Sequence, residues 1–408
     1  MQTRRSPACC DPDRIGEVRT LNLQVSMNLR GERGWGNEHN VLRNPPRCNQ
    51  RGGFNFLSLK EEGLKGLKHL VWMCTRAQER RYAYSLGDGR ASSEELNTEE
   101  AKRLLDMASG FGVENLFITG GEPLLRSDLL KLIEYASKLE LNLYLKTDGC
   151  AINDRTEIAK NLSFHNCKVI ISIAGLKEVD DMLRGEGAHE RSVNAASACS
   201  EQGILCSLSV VNTKYVVHQI RDLVNLALEV GSKGFSLASL IPQPICVDEQ
   251  RTKLVPLEPS AEEHEKELNE IYPLSKQLEG RIGLMSYDIF YNRILKTREP
   301  QLALKSRCSV CNNLEENEWL EIQDDGKAYG CSPLGLTFGD VRKDSFEEIM
   351  TRMRDSELVK KLADRTNLKG KCGICEFNAI CGGCRASAYI HTGDMFASDP
   401  HCLYKPKV

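Results

Sequence analysis

The sequence predicts an α/β fold: a partial (βα)6 barrel of the TIM type followed by a small cysteine-rich domain. Three observations lead there. Between about 66 and 300, short apolar runs alternate with longer stretches of helical period, the pattern of parallel βα units. Roughly six such units fit that span. After about 301 the pattern gives way to glycines, short strands and cysteines, and eight of the chain's 17 cysteines lie there. A doubly wound open sheet is the alternative arrangement. In either case chemistry is expected at the C-terminal ends of the strands.

The elements follow in order. Residues 1–65 are rich in Arg, Asn, Gly and Pro without sustained periodicity, and read as an irregular N-terminal extension. Residues 69–73 (HLVWM) form the first buried strand. Asn97, with Glu100 three positions later, makes a capping box for an amphipathic helix through Leu104, Leu105 and Met107. Residues 115–119 (NLFIT) are a strand that runs into Gly-Gly, and Ser127 is expected to open the next helix. Further strands are expected at 141–146, 168–173, 204–211 and 234–240, with helices at 189–202, 216–230 and 260–278. The domain after 301 carries one helix near 345–363.

Bulk properties narrow the function. The net charge of −3 gives no general attraction to nucleic acid or anionic membrane. No apolar run reaches the length of a membrane span. The opening MQTRRSPACCDP has basic residues with no apolar segment behind them, so a cytoplasmic setting is expected. Clustered Cys-x-x-Cys pairs in that setting point to metal rather than disulfides.

The ligand candidates are Cys308, Cys311, Cys331, Cys372, Cys375, Cys381, Cys384 and Cys402. Pairs 308/311, 372/375 and 381/384 each leave a two-residue gap, which lets both thiolates turn onto one centre. Eight thiolates complete two four-cysteine sites, enough for two cubane clusters. Tetrahedral zinc uses the same complement, so spacing alone leaves iron and zinc both open.

Gly326-x4-Cys331, Cys372-x2-Cys375-x5-Cys381 and Cys402 together resemble the SPASM module of radical S-adenosylmethionine (SAM) enzymes. The tail Cys381-Gly-Gly-Cys384-Arg385-Ala386 … Asp399-Pro400-His401-Cys402 is similar to that of haem-biosynthesis members, in the siroheme-derived haem and haem d1 pathways. The resemblance implies two 4Fe–4S clusters. One would use Cys308, Cys311, Cys331 and Cys384, and the other Cys372, Cys375, Cys381 and Cys402. One departure exists: Cys384 follows Cys381 after two residues instead of the usual three.

The first half carries the same resemblance. Gly120-Gly121-Glu122-Pro123 follows a strand and is similar to the family's SAM-binding Gly-Gly-Glu-Pro turn, where glycines let the backbone approach the ligand. Thr147-Asp148-Gly149 stands where relatives have Thr-Asn-Gly. Ser172 matches a ribose-side position, and Asp181-x-x-Arg184-Gly185 resembles an Asp-x-x-Arg-Gly segment. The family's Cys-x3-Cys-x2-Cys triad should follow the first strand, where a cubane with one open iron binds SAM and an electron releases a 5′-deoxyadenosyl radical. Here its three positions hold Gln78, Tyr82 and Ser85, with the lead-in Trp72-Met73-Cys74-Thr75-Arg76-Ala77 and the aromatic Tyr84 in place. Gln, Tyr and Ser do not replace three thiolates around a low-potential cubane.

The resemblance therefore implies a radical SAM/SPASM oxidoreductase acting on a tetrapyrrole or a peptide, inactive in SAM cleavage as written. The alternative is a non-catalytic paralogue serving as electron carrier or scaffold. Implied partners are the substrate and a low-potential donor such as ferredoxin or flavodoxin. The domains are then 1–65 extension, 66–300 radical SAM-like barrel and 301–408 SPASM-like double-cluster domain.

Overall fold

A computed structural model describes residues 67–79, 89, 91–241, 254–304, 310–311 and 319–407. The expected extension at 1–65, together with Tyr82, Ser85 and Cys308, lies outside the described residues. The strands are β1 (His69–Thr75), β2 (Asn115–Gly120), β3 (Asn142–Thr147), β4 (Lys168–Ile173), β5 (Leu205–Asn212) and β6 (Gly234–Ser239). They continue with β7 (Gly283–Ser286), β8 (Trp319–Ile322), β9 (Lys327–Cys331) and β10 (Leu336–Asp340). One sheet joins them in the order β10-β9-β8-β1-β2-β3-β4-β5-β6-β7. All pairs from β8 through β1 to β7 are parallel. The pairs β8–β9 and β9–β10 are antiparallel. The sheet is open, with β10 and β7 at its edges, as in a partial barrel.

Each parallel strand sends alternate residues to opposite faces. Leu116 and Ile118, Leu143 and Leu145, Val169 and Ile171, and Leu208 and Val210 are fully buried in one continuous core with the helices. The opposite face carries Phe117, Tyr144, Lys146, Ser172, Ser207, Ser209 and Ser236. At the N-terminal end of that face an aromatic layer closes the interior. His69 and Trp319 lie 4.3 Å apart, Phe117 and Trp319 5.5 Å, and Phe117 and Tyr144 4.7 Å.

The covering helices are α1 (Thr98–Phe111), α2 (Leu129–Ala136), α3 (Cys150–Asp154), α4 (Thr156–Phe164), α5 (Lys177–Arg184), α6 (Ala188–Glu201), α7 (Ile220–Glu229), α8 (Ala261–Gln277) and α9 (Ile289–Arg298). Asn97 closes the expected capping box with Glu100. Ser127 does not cap its helix. Asp128 is the N-cap of α2, and its carboxylate is held by Arg126 and Thr98 instead of the helix backbone. The single helix expected near 345–363 is two, α10 (Phe346–Asp355) and α11 (Glu357–Ala363). Ser356 takes extended backbone between them and its hydroxyl caps the second. The tail adds α12 (Gly370–Gly373) and α13 (Arg385–Thr392). The change of composition near 301 is not a break in the sheet, because β8 pairs with β1 from Trp319 against His69 to Ile322 against Trp72.

Candidate cofactor site at the strand ends

The turn after β2 is built on close backbone approach. Gly121 donates its N–H to the Thr75 carbonyl at 2.7 Å, and Glu122 donates to the Ala77 carbonyl at 2.7 Å. Gly120 has φ +130°, and a Cβ there would sit 2.5 Å from the Thr75 oxygen; one at Gly121 would sit 2.2 Å from the Ala77 oxygen. No larger residue fits this lock between the turn and the segment that leaves β1. The same segment is fixed by Glu95, which accepts from Thr75 Oγ1 at 2.8 Å and Arg76 N at 2.9 Å. Arg126 ties it further, donating to the Cys74 carbonyl at 2.9 Å and the Leu96 carbonyl at 2.7 Å.

Glu122 turns inward. Its carboxylate accepts from Thr147 Oγ1 at 2.7 Å, Asp148 N at 2.8 Å and Leu124 N at 2.9 Å. Burial and the neighbouring Asp148 push its carboxyl well above the usual range. Thr147 in turn accepts from Gly149 N at 3.0 Å. Gly120, Gly121, Glu122, Pro123 and Thr147 thus form one connected unit across the ends of β2 and β3. The carboxylate organises that unit.

Arg184 belongs to the frame of this end of the barrel. It pairs with Asp180 within α5, not with Asp181, and donates to the Ser172 carbonyl at 3.0 Å and Ser192 Oγ at 2.9 Å. Ser192 Oγ then donates to the Asp148 carbonyl at 2.6 Å. Asp181 instead accepts from His189 N at 3.0 Å and Lys177. Ser172 is half-buried at the end of β4.

Beside this unit lies the first of the three triad positions. Gln78 has a buried side-chain oxygen with no hydrogen-bond partner. A neutral amide oxygen is a poor ligand for a soft iron–sulfur centre, so the described part of the triad segment does not fit a cubane. Cys74, four residues earlier, is fully buried in the core, where burial raises its thiol far above the ordinary range. It is a packing residue.

The tail cysteines converge differently. Cys372, Cys375, Cys381 and Cys402 line one small cavity together with Arg293 and Lys371. Gly382 and Gly383 have φ +68° and +70°, and a Cβ on Gly383 would lie 3.3 Å from Cys372 Sγ. The left-handed pair wraps the chain around the cavity, and Gly383 N donates to Cys381 Sγ at 3.4 Å. Burial pushes the Cys381 thiol up to about 12, so a lone thiol here stays protonated and a thiolate requires a positive centre. Four sulfurs with two adjacent cations suit a negatively charged cluster.

Cys331 and Cys384 line a second, larger cavity of about 310 Å³ at the strand ends. Cys311 is buried beside Val310, and Cys331 packs against that group. The remaining walls were not legible in the sequence. His264 Nε2 lies 2.9 Å from Asp288 Oδ2, which also accepts from Ser239 Oγ at 2.6 Å. Burial works against the charged His264, but Asp288 outweighs it and the pKa ends above the ordinary value. Asp399 is the hub of the tail. It accepts from Cys384 N at 2.8 Å, Ser387 Oγ at 3.0 Å and His401 N at 3.1 Å.

Residues 73–227 match the family described as the Radical SAM superfamily. The AdoMet-dependent heme synthase of Methanosarcina barkeri is 29% identical over 323 residues, covering 76% of this chain and 88% of that protein. The PqqA peptide cyclase of Bradyrhizobium diazoefficiens is 26% identical, covering 77% and 80% respectively. In fold, SuiB of Streptococcus suis bound to S-adenosylmethionine superposes with a TM-score of 0.65 at 18% identity, covering 83% of this chain and 78% of that one.

Proposed function

The chain carries a radical SAM domain, and from that premise we propose an iron–sulfur protein of the radical SAM/SPASM type that binds SAM and two 4Fe–4S clusters but does not cleave SAM with its present residues. The observation that carries this reading is the contrast between the two ends of the site. Four cysteines surround one cavity in the tail, while the triad positions at the barrel hold Gln78, Tyr82 and Ser85. The Gly120-Gly121-Glu122-Pro123 unit with Thr147 supports SAM binding, since its two glycines would let backbone approach the ligand closely. Ser172 would serve the ribose side. Arg184 acts as a positioning residue, since its guanidinium is engaged with Asp180, Ser192 and the Ser172 carbonyl.

Cys372, Cys375, Cys381 and Cys402 would hold one cluster, with Cys308, Cys311, Cys331 and Cys384 holding the other. When bound, such clusters supply one-electron transfer. The protein would then act as an electron carrier or scaffold, reduced by a ferredoxin- or flavodoxin-like donor. Its partner substrate would be a tetrapyrrole of a haem pathway, a class supported by the heme synthase relative. A peptide is the second reading, supported by the PqqA peptide cyclase relative. An active oxidoreductase remains the competing function, and the intact Gly-Gly-Glu-Pro unit favours it. Anaerobic incubation with SAM and a strong reductant separates the two. The proposal expects SAM to bind, as read by calorimetry, and no 5′-deoxyadenosine to appear. Detection of 5′-deoxyadenosine would overturn it.

A further inference from the structure

Two histidines and a glutamate meet where the barrel touches the tail. Glu258 follows the turn Val255–Leu257 and precedes α8, whereas His391 lies in the last turn of α13 and His401 in the tail beyond it. Their donor atoms all lie within 4.8 Å of one another. His391 Nε2 is 3.2 Å from Glu258 Oε2, and His401 Nε2 is 3.9 Å from the same oxygen. The three side chains are only 20%, 7% and 19% exposed for His391, Glu258 and His401. The rings of His391 and His401 meet edge to face at 4.8 Å between centroids.

The other ring nitrogen of His401 is also held. His401 presents Nε2 to the group, while its Nδ1 lies 3.2 Å from Ser387 Oγ and 3.7 Å from Asp399 Oδ1. A metal-ligating histidine characteristically has its other ring nitrogen held by a carboxylate or hydroxyl in this way, which fixes tautomer and ring orientation. Ser387 and His391 are four residues apart on α13, so one helix face supplies both the orienting hydroxyl and a second imidazole. A purely structural ion pair needs no such arrangement around a third residue.

We propose that Glu258, His391 and His401 bind a divalent first-row transition ion, with zinc the best match to two imidazoles and one carboxylate. Three protein donors leave a coordination position open. Glu258 and His401 line both the 310 Å³ cavity and an outer groove that His391 also lines. The ion would therefore sit in the wall of the cavity and offer its open position to a carboxylate or water there. It would also pin the N-terminal end of α8 to the tail. The site uses none of the cysteines and does not depend on the number of clusters they hold.

The test uses the full chain with iron and sulfide loaded, given one equivalent of Zn2+ and then desalted. Zinc-edge X-ray absorption should show nitrogen and oxygen ligands at about 2.0–2.1 Å and no sulfur shell near about 2.3 Å. Competition with a chelator should show His391→Ala and Glu258→Gln each weakening zinc by at least about 100-fold, and Ser387→Ala by about 10-fold. Iron content and the unfolding temperature should stay near those of the parent, which separates loss of zinc from loss of fold. A sulfur shell, no retained zinc, or equal retention in both ligand variants would overturn the proposal.

Discussion

Glu122 shows how much a single buried carboxylate can hold. Three donors converge on it, from Thr147, Asp148 and Leu124, and all three would be stranded by Glu122→Ala. Leaving buried donors unsatisfied costs about 1–3 kcal/mol each at the extreme. A total loss of a few kcal/mol is expected by chemical denaturation, with SAM affinity falling in parallel. Gly121→Ala should also abolish SAM binding, because its methyl would meet the Ala77 carbonyl at 2.2 Å. His69 gives a pH signature. Burial, then the nearby Lys68, lowers its pKa from 6.5 to about 4. Between those values the unfolded imidazole takes a proton and the folded one does not. Stability is therefore lost as pH falls from 6.5 toward about 4, by up to about 3 kcal/mol. Denaturation curves at pH 7 and pH 4.5 should show this fall, and His69→Gln should reduce it.

At the scale of elements, α5 is clamped to its neighbours by Arg184. The guanidinium joins Asp180, the Ser172 carbonyl at the end of β4 and Ser192 in α6, and Ser192 reaches Asp148 after β3. Removing one partner of a buried pair leaves the other charge uncompensated, so Arg184→Ala should cost about 3–5 kcal/mol in unfolding free energy. Arg184→Lys should not restore it, since an ammonium cannot span three acceptors in a plane. Such elements differ in how far the sequence reveals them. The edges of β3 to β6 follow from alternation, which is a local signal. β7 escapes because Gly283–Ser286 is four residues long. The break at Ser356 escapes because the apolar period continues through it, and only the capping hydroxyl marks the stop. In the Asp-x-x-Arg-Gly segment the spacing does not tell which acid meets Arg184, because residues three and four apart both neighbour it on a helix; Asp180 takes the guanidinium, and Asp181 is held by His189 N and Lys177.

For the whole molecule, the contacts that sequence patterns miss are the distant ones. No periodicity links Trp319 to His69, yet that pairing brings the tail onto the edge of the barrel. No spacing rule joins Glu258 to His391, 133 positions apart. Cys372, Cys375 and Cys381 lie within one short stretch, so a local pattern brings them to notice, whereas Cys402 joins their cavity from farther along the chain. Among the described residues no helix is long and apolar enough to cross a membrane. The proposed placing of iron in the tail and not in the barrel is tested most directly by iron and sulfide per chain after anaerobic reconstitution, in the parent and in the combined variant Gln78→Cys, Tyr82→Cys, Ser85→Cys. We predict about eight irons in the parent and about twelve in the variant, the content of two and three four-iron clusters. Equal iron in both, or about twelve already in the parent, would contradict it.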